Sequence, residues 1–314
     1  MNKHEFINYL ESRNLSPATQ KMYSTSVEQF FNWAKIEDIQ VTKPDILKFL
    51  EYLKNRKGYQ NIVRKNCLIA LNHYFVALYK TGEINVNPCA FLKIRGKRPK
   101  KMHKIYTPEE LDTLFDNYYQ LFVRNFDDSH LRPRAQKQSQ LCRERNAVIL
   151  SVLINQGAVT TEIEKIELGD LDLIKATLKL RGRKRSNERI IPLKATQIGL
   201  LMHYLQNIRP QFAEYHTKES EKLFLSLPAI SQKTTEGGTL LYAFAELTKQ
   251  LQSIDKQFLN VIQLRTSVIT NWLKINGLRK TQYLAGHRYV SSTEKYQSNN
   301  LDNLIDDINK LHPF

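Results

Sequence analysis

Near its C-terminal end the chain reads AGHRYVSSTEKYQ, residues 285–297, which sets His287 and Tyr296 nine positions apart (296 − 287 = 9). Taken alone, such a pair can do no more than pack. Lys184 and Arg265 add further chemistry. A phenol can attack a phosphodiester directly, but with a pKa of about 10 it needs a proton acceptor or a cationic pocket. The pentavalent phosphorane gathers negative charge, which Arg265 and His287 can stabilise by charge-assisted hydrogen bonds. The departing deoxyribose oxygen needs a proton, which Lys184 on a hairpin can supply. The four side chains suffice for strand cleavage without metal. No acidic cluster reads as a metal site, and no cofactor is expected. The four lie on different elements, so the fold must bring them together.

The charge balance says what substrate such a set would meet. Lys and Arg number 47 against 31 Asp and Glu, a formal net charge of +16. That surplus costs self-repulsion unless a polyanion neutralises it. Nucleic acid and an anionic membrane surface are the two candidates. Nothing reads as a basic amphipathic anchor, so double-stranded DNA is the expected partner and a membrane is not. No apolar run approaches the length of a membrane span. The stretch MNKHEFINYLESRN carries charges throughout and lacks the apolar block of a signal peptide. Cys67, Cys89 and Cys142 are scattered without metal-ligand spacing, which fits a reducing compartment. The expected location is cytoplasmic and nucleoid-associated.

The elements that must position the four residues follow from local signals. The 314 residues, 41% hydrophobic and 10% aromatic, exceed one small core and fit two packed domains. Ser16-Pro17 reads as a helix start, followed by Tyr23, Val27, Phe30, Phe31 and Ala34 at helical spacing. Thr42 with Asp45 caps a second stripe of Ile46, Phe49, Leu50 and Leu53. A third runs through Leu68, Leu71, Tyr74, Phe75 and Leu78 and stops at Gly82. Trp33 and Trp272 sit in apolar stripes and read as core.

The stretch KIRGKRPKKMHK, 93–104, has no apolar period and reads as a basic interdomain linker. Its Lys93, Arg95, Lys97, Arg98, Lys100 and Lys101 are candidate DNA-backbone contacts; a solvated charge run is the alternative. Thr107, Pro108 and Glu110 open a helix. Another helix spans 146–156 and ends at Gly157. ATLKLRG and ERIIPL flank the basic turn RKRSN as a β-hairpin. Residues 218–260 carry weak signals, with a loop at 234–238. Helices at 263–276 and 278–285 end at Gly277 and Gly286. Leu301, Leu304, Ile305, Ile308 and Leu311 stripe a terminal helix. The expected fold is mainly α with a small antiparallel β-sheet, in two domains.

Block by block, the chain resembles the tyrosine recombinases, the phage-integrase family, over nearly its whole length. LSPATQKMYSTSVEQFFNWA is similar to the family's N-terminal core-binding domain. GAVTTEIEKIELGDLDL is similar to the block holding the first catalytic arginine, and GRKRSNERIIPL to the hairpin with the catalytic lysine, here Lys184. IQLRTSVITNWL resembles the block in which a histidine precedes the second arginine, here Arg265, by three positions. LAGHRYVSSTEKY resembles the family's Leu-Gly-His…Tyr ending. The resemblance implies a helical core-binding domain over 1–92, a linker over 93–105, and an α+β catalytic domain over 106–314 that ends in a docking helix. It implies that Tyr296 is the nucleophile and that His287 lies beside the phosphate. It also implies a 3′-phosphotyrosine intermediate, a Holliday junction, and a homotetramer on two DNA duplexes, as in DNA integration by mobile elements.

Two positions depart from the family pattern. Val159 stands where the first arginine is expected, and Ile262 where the histidine is expected. Losing one such donor costs about 10²–10³ in rate. Arg145, Arg181 and Arg183 are candidates to fill the gap. Glu162 reads either as a buttress of that pocket or as a solvated helix-start acid, and Arg288 either as a phosphate contact or as an exposed side chain. The alternatives to a site-specific recombinase are a catalytically impaired DNA-binding relative and a type IB topoisomerase-like enzyme.

Overall fold

A computed structural model describes residues 3–95, 103–182, 186–227 and 239–297. Lys97, Arg98, Lys100, Lys101, Arg183, Lys184, the loop at 234–238 and the terminal stripe from Leu301 to Leu311 lie outside the described residues. The chain divides into two compact units, 1–100 and 101–314. Among the described residues no helix is long and apolar enough to cross a membrane.

Among the described residues the first unit holds four α-helices: α1 (Lys3–Ser12), α2 (Pro17–Ala34), α3 (Lys43–Asn55) and α4 (Asn61–Thr81). Ser16 Oγ accepts the Thr19 N–H at 3.3 Å and fixes the start of α2. At α3 the Asp45 carboxylate accepts both the backbone N–H and the hydroxyl of Thr42, at 3.0 and 2.6 Å. The expected apolar stripes converge on one core, where Phe30 meets Phe49 edge-on at 5.1 Å. Trp33 packs against that core. The segment leading out of the unit is tied back to α4, because Asn61 Nδ2 donates to the Arg95 carbonyl at 3.3 Å.

The second unit begins with α5 (Pro108–Tyr118), capped reciprocally by Thr107 and Glu110 at 3.2 and 2.9 Å. Then come α6 (Pro133–Gln156) and the single turn α7 (Thr160–Ile163). Strands β1 (Leu171–Asp172), β2 (Thr177–Leu180) and β3 (Arg189–Pro192) form an antiparallel sheet in that order, with Leu180 opposite Arg189. Helices α8 (Ala195–His203), α9 (Arg209–Ala213), α10 (Leu241–Ile254), α11 (Val261–Leu284) and α12 (Val290–Gln297) complete it. The hairpin stands where the alternation placed it, with β1 as an added edge. The helix expected over 146–156 starts earlier, with Pro133 in its first turn. Its polar opening, RAQKQSQ, has no apolar period to announce it. Helix α11 is broken at Gly277, whose φ of 69° and ψ of 179° are not helical.

Before that break, α11 is buried on every side from Gln263 to Thr270. A helix without a solvent face needs its polar groups satisfied internally. Ser267 Oγ accepts the Tyr106 N–H at 3.0 Å, and Gln263 Nε2 donates to the Lys104 carbonyl at 2.8 Å. Lys104, the last lysine of the basic stretch, pairs with Glu110 at 3.0 Å and Asp255 at 3.5 Å. It therefore belongs to the second unit's framework and is not an unengaged linker charge.

One ion pair joins the sheet to α7. Arg189 and Glu162 have side chains 0% and 2% exposed and meet through two hydrogen bonds of 2.9 and 3.0 Å. Glu162 is thus buried and not a solvated acid. Burial alone would raise its carboxyl, but the Arg189 bonds and the Val159 N–H outweigh that and hold it below 4.5. Because the folded value is depressed, the pair's stabilisation is complete above pH 4.5 and is lost as pH falls below that. Arg189→Met should strand a buried carboxylate and cost about 3–5 kcal/mol. Chemical denaturation checks this, and an unchanged midpoint would contradict it. Glu162→Gln should be less stable at neutral pH and lose less stability on acidification below pH 4.5 than the wild type.

Candidate active site

Arg265 stands near the start of α11 and is 8% exposed. Its Nη1 donates to the Gly157 carbonyl at the end of α6. Its Nη2 donates to the Ala285 carbonyl at 2.7 Å and lies 3.3 Å from His287 Nε2. One guanidinium thus gathers the ends of two helices and the His287 ring.

Gly286 makes the turn that delivers His287. Its φ is +67°, and an added Cβ would lie 2.5 Å from Arg189 Nη1 and 3.0 Å from the Asn187 carbonyl oxygen. Only glycine lets the chain reverse this close to the Arg189–Glu162 pair. The turn is fastened by the His287 N–H, which donates to the Gln282 carbonyl at 3.0 Å. The Gln282 amide donates back to the His287 carbonyl at 3.1 Å. From the hairpin side, the Asn187 N–H donates to the Gly286 carbonyl at 2.8 Å, and Ser186 forms an antiparallel bridge with His287. The returning limb of the hairpin is therefore stitched to the His287 turn.

Helix α12 explains the nine-residue spacing. Thr293 and Tyr296 are one helical turn apart and share a face. Thr293 Oγ1 lies 2.8 Å from His287 Nδ1. The His287 and Tyr296 rings stack with centroids 5.7 Å apart at 21°. Tyr296 lies close enough to Arg265 to favour its charged form. Burial, then the charges of Arg265 and Arg189, push His287 down to about 4, so its ring is neutral at neutral pH. Burial also works against the charge of Arg265, as does Arg189, while Glu162 supports it.

The fold thus brings Arg265, His287 and Tyr296 together, and Lys184 lies outside the described residues. Val159 is half-buried, and its N–H donates to Glu162 Oε2 at 3.0 Å. Ile262 is 70% exposed in the first turn of α11. Two of the arginines considered as replacements are engaged elsewhere. Arg145 bonds to Asn146 and the Leu225 carbonyl beneath Phe212. Arg181 pairs with Glu167 and Asp170. Arg288 is exposed. The guanidinium that does lie beside the site is Arg189, which sequence reasoning places in a strand without a role. Its signal is present: in RIIP the inward positions are Arg189 and Ile191, and an arginine on an inward face needs a partner. Thr293 has no such signal, since it sits in a polar stretch without period.

Comparison with known proteins agrees with this arrangement. Residues 4–82 match the phage integrase N-terminal SAM-like domain, and residues 130–302 match the phage integrase family. Tyrosine recombinase XerC of Chlorobaculum parvum is 27% identical over 98% of this chain and 93% of its own length. Its namesake from Natranaerobius thermophilus is 27% identical over 99% of both. Among solved structures, XerH recombinase bound to a palindromic difH substrate superposes with a TM-score of 0.69 at 17% identity, covering 96% of this chain and 82% of that one. A lambda integrase dimer bound to a core site gives 0.61 at 13% identity, covering 94% and 93%. These two show a shared fold. The family match spans more than half of the sequence: the chain belongs to the phage integrase family, the site-specific tyrosine recombinases.

Proposed function

We propose that this recombinase cleaves and rejoins duplex DNA through Tyr296. The convergence of Arg265, His287 and Tyr296 around one buried guanidinium carries the proposal. Tyr296 Oη attacks the scissile phosphorus as its proton passes to the neutral His287 ring stacked beside it; a new O–P bond forms and the bond to the 5′ oxygen breaks. Arg265 and His287 meet the non-bridging oxygens as negative charge develops. Lys184 donates a proton to the departing 5′ oxygen. The stitching of Ser186 and Asn187 to the His287 turn supports that role, since Lys184 is two residues before Ser186 in the chain. The resulting 3′-phosphotyrosine conserves the bond energy, and a 5′-hydroxyl from a partner strand reverses the step. Four protomers on two duplexes would exchange strands in pairs through a Holliday junction. A protein acting so works in the cytoplasm, on the nucleoid.

Val159 and Ile262 favour a second reading, a DNA-binding relative with impaired cleavage. Against it, Arg189 keeps a second guanidinium beside the site. Fully buried and bonded to Glu162, Arg189 does not touch the phosphate, and what reaches the site from it is the dipole of the pair. Incubation with nicked suicide DNA separates the two, because only the enzyme becomes covalently attached.

On that substrate, Tyr296→Phe should abolish the covalent band on a denaturing gel and leave DNA affinity nearly unchanged. A band of wild-type intensity would mean that another residue attacks. Lys184→Ala should slow cleavage chiefly when the leaving group is an ordinary 5′ oxygen. A 5′-bridging phosphorothiolate leaves without a proton, so equal losses on both substrates would remove Lys184 as the general acid.

The basic stretch is proposed to hold the DNA backbone. Lys93 and Arg95 line a cleft of about 590 Å³ with Lys54 and Arg64 in the first unit. Neutralising Lys97, Arg98, Lys100 and Lys101 should weaken binding to all duplexes alike. It should also flatten the log–log salt dependence by about 0.9 for each phosphate that is no longer neutralised. Affinity titrations at several salt concentrations measure this, and an unchanged slope would leave the run in solvent.

A further inference from the structure

The neighbours of His287 decide which ring nitrogen carries its proton. A guanidinium can only donate. Arg265 Nη2 therefore donates to His287 Nε2, 3.3 Å away, and that nitrogen presents a lone pair. The proton of the neutral ring then sits on Nδ1, which meets Thr293 Oγ1 at 2.8 Å. A hydroxyl accepts as readily as it donates, so Thr293 suits this arrangement. The opposite tautomer would set two donors against each other at Nε2. Thr293 is 0% exposed, so water has no access to replace its hydroxyl. A threonine within a helix often returns its hydroxyl to the carbonyl four residues back, as Thr266 and Thr270 do. The Thr293 hydroxyl reaches out of α12 to His287.

We propose that Thr293 is a positioning residue: its hydroxyl holds His287 in the Nδ1–H form and fixes the ring plane, so that Nε2 faces Arg265, Tyr296 and the scissile phosphate. The catalytic consequence rests on the cleavage reaction proposed above; the tautomer does not. The charged and titratable groups around the ring are Arg265 from α11, Arg189 from β3, Glu162 from α7, and Lys295 and Tyr296 from α12. Burial and the three cations keep the ring neutral in the free protein. An arriving phosphate brings the opposite charge, and a second proton can then add at Nε2 while Nδ1–H stays on Thr293. Without the hydroxyl, neither the Nδ1–H form nor the imidazolium has a partner at Nδ1.

Thr293→Val keeps the shape and removes the acceptor, and Thr293→Ser keeps the acceptor. Nitrogen chemical shifts of protein labelled with ¹⁵N-histidine report the protonated nitrogen without DNA. His287 is identified as the resonance missing from His287→Gln. The wild type and Thr293→Ser should show Nδ1–H at neutral pH; in Thr293→Val, where Arg265 still opposes Nε2–H, the Nδ1 proton is left without a partner and its resonance should shift or broaden. An Nε2–H ring in the wild type would overturn the proposal. On suicide DNA, Thr293→Val should cleave about 10–100-fold more slowly, the range known for removing the hydrogen-bond partner behind a metal-bound histidine. Its pH–rate profile should shift and its DNA affinity should hold, and Thr293→Ser should recover most of the rate. A wild-type rate and profile in Thr293→Val, or a serine variant as impaired as the valine one, would also overturn it. If the wild type itself forms no covalent adduct, the cleavage proposal falls, while the nitrogen shifts still decide whether Thr293 holds the ring.

Discussion

Arg265 is a permanent cation with little access to water, and the second unit is arranged to satisfy it. Burying an unpaired charge costs several kcal/mol. Arg265 is held by the carbonyls of Gly157 and Ala285, the residues that cap the C-termini of α6 and α11. The last carbonyls of a helix have no partner within it, and a helix C-terminus carries partial negative charge. Two helix ends therefore supply both the acceptors and the field that a buried guanidinium requires. This ties the site to backbone geometry: displacing α6 or the end of α11 displaces the cation with it.

The same constraint orders the rest of the site. Arg189 brings a second guanidinium close by, and two like charges in a buried place need an acid between them. Glu162 provides it, bonded to Arg189 and placed near enough to Arg265 to support its charge. Val159 and Ile262 stand where the resemblance leads one to expect an arginine and a histidine, so in the proposed cleavage fewer donors would face the phosphate. Arg265 remains, fixed by bonds within the unit, and Arg189 stands behind it bonded to Glu162. For that reaction, what the site lacks in number of donors it would retain in preorganisation, because fixed dipoles need no reorganisation when charge develops.

Features set by nearest neighbours in the chain are legible in the sequence. Ser16-Pro17 and Thr107-Pro108 with Glu110 start helices because a cap is completed within four residues. Gly277 interrupts α11 where the pattern breaks. Alternation in TLKL and RIIP reports the hairpin. The spacing of His287 and Tyr296 is legible as a motif, but its cause, a turn followed by one face of α12, is not, since VSSTEKYQ has no apolar stripe. Helix α10 lies within the stretch of weak signals, 218–260, and is not foreseen. Arg189 and Thr293 escape for another reason. Strand alternation turns Arg189 inward, but that Glu162 meets it from α7, and that the turn before α12 brings His287 to Thr293, no local pattern encodes.

Of the five N–H donors of a guanidinium, Arg265 directs one each to Gly157, Ala285 and His287. The first two are bonds to the main chain and fix the plane of the group. The third goes to a side chain whose other nitrogen is anchored on Thr293. In the proposed cleavage a phosphate oxygen enters between Arg265 and His287, and only this third bond has to open. The guanidinium keeps its plane through the two carbonyls, and the imidazole keeps its plane through the threonine. Both groups are thus oriented by partners that the substrate does not displace. The site can exchange one internal hydrogen bond for bonds to the phosphate without losing the geometry that presents Tyr296 for attack.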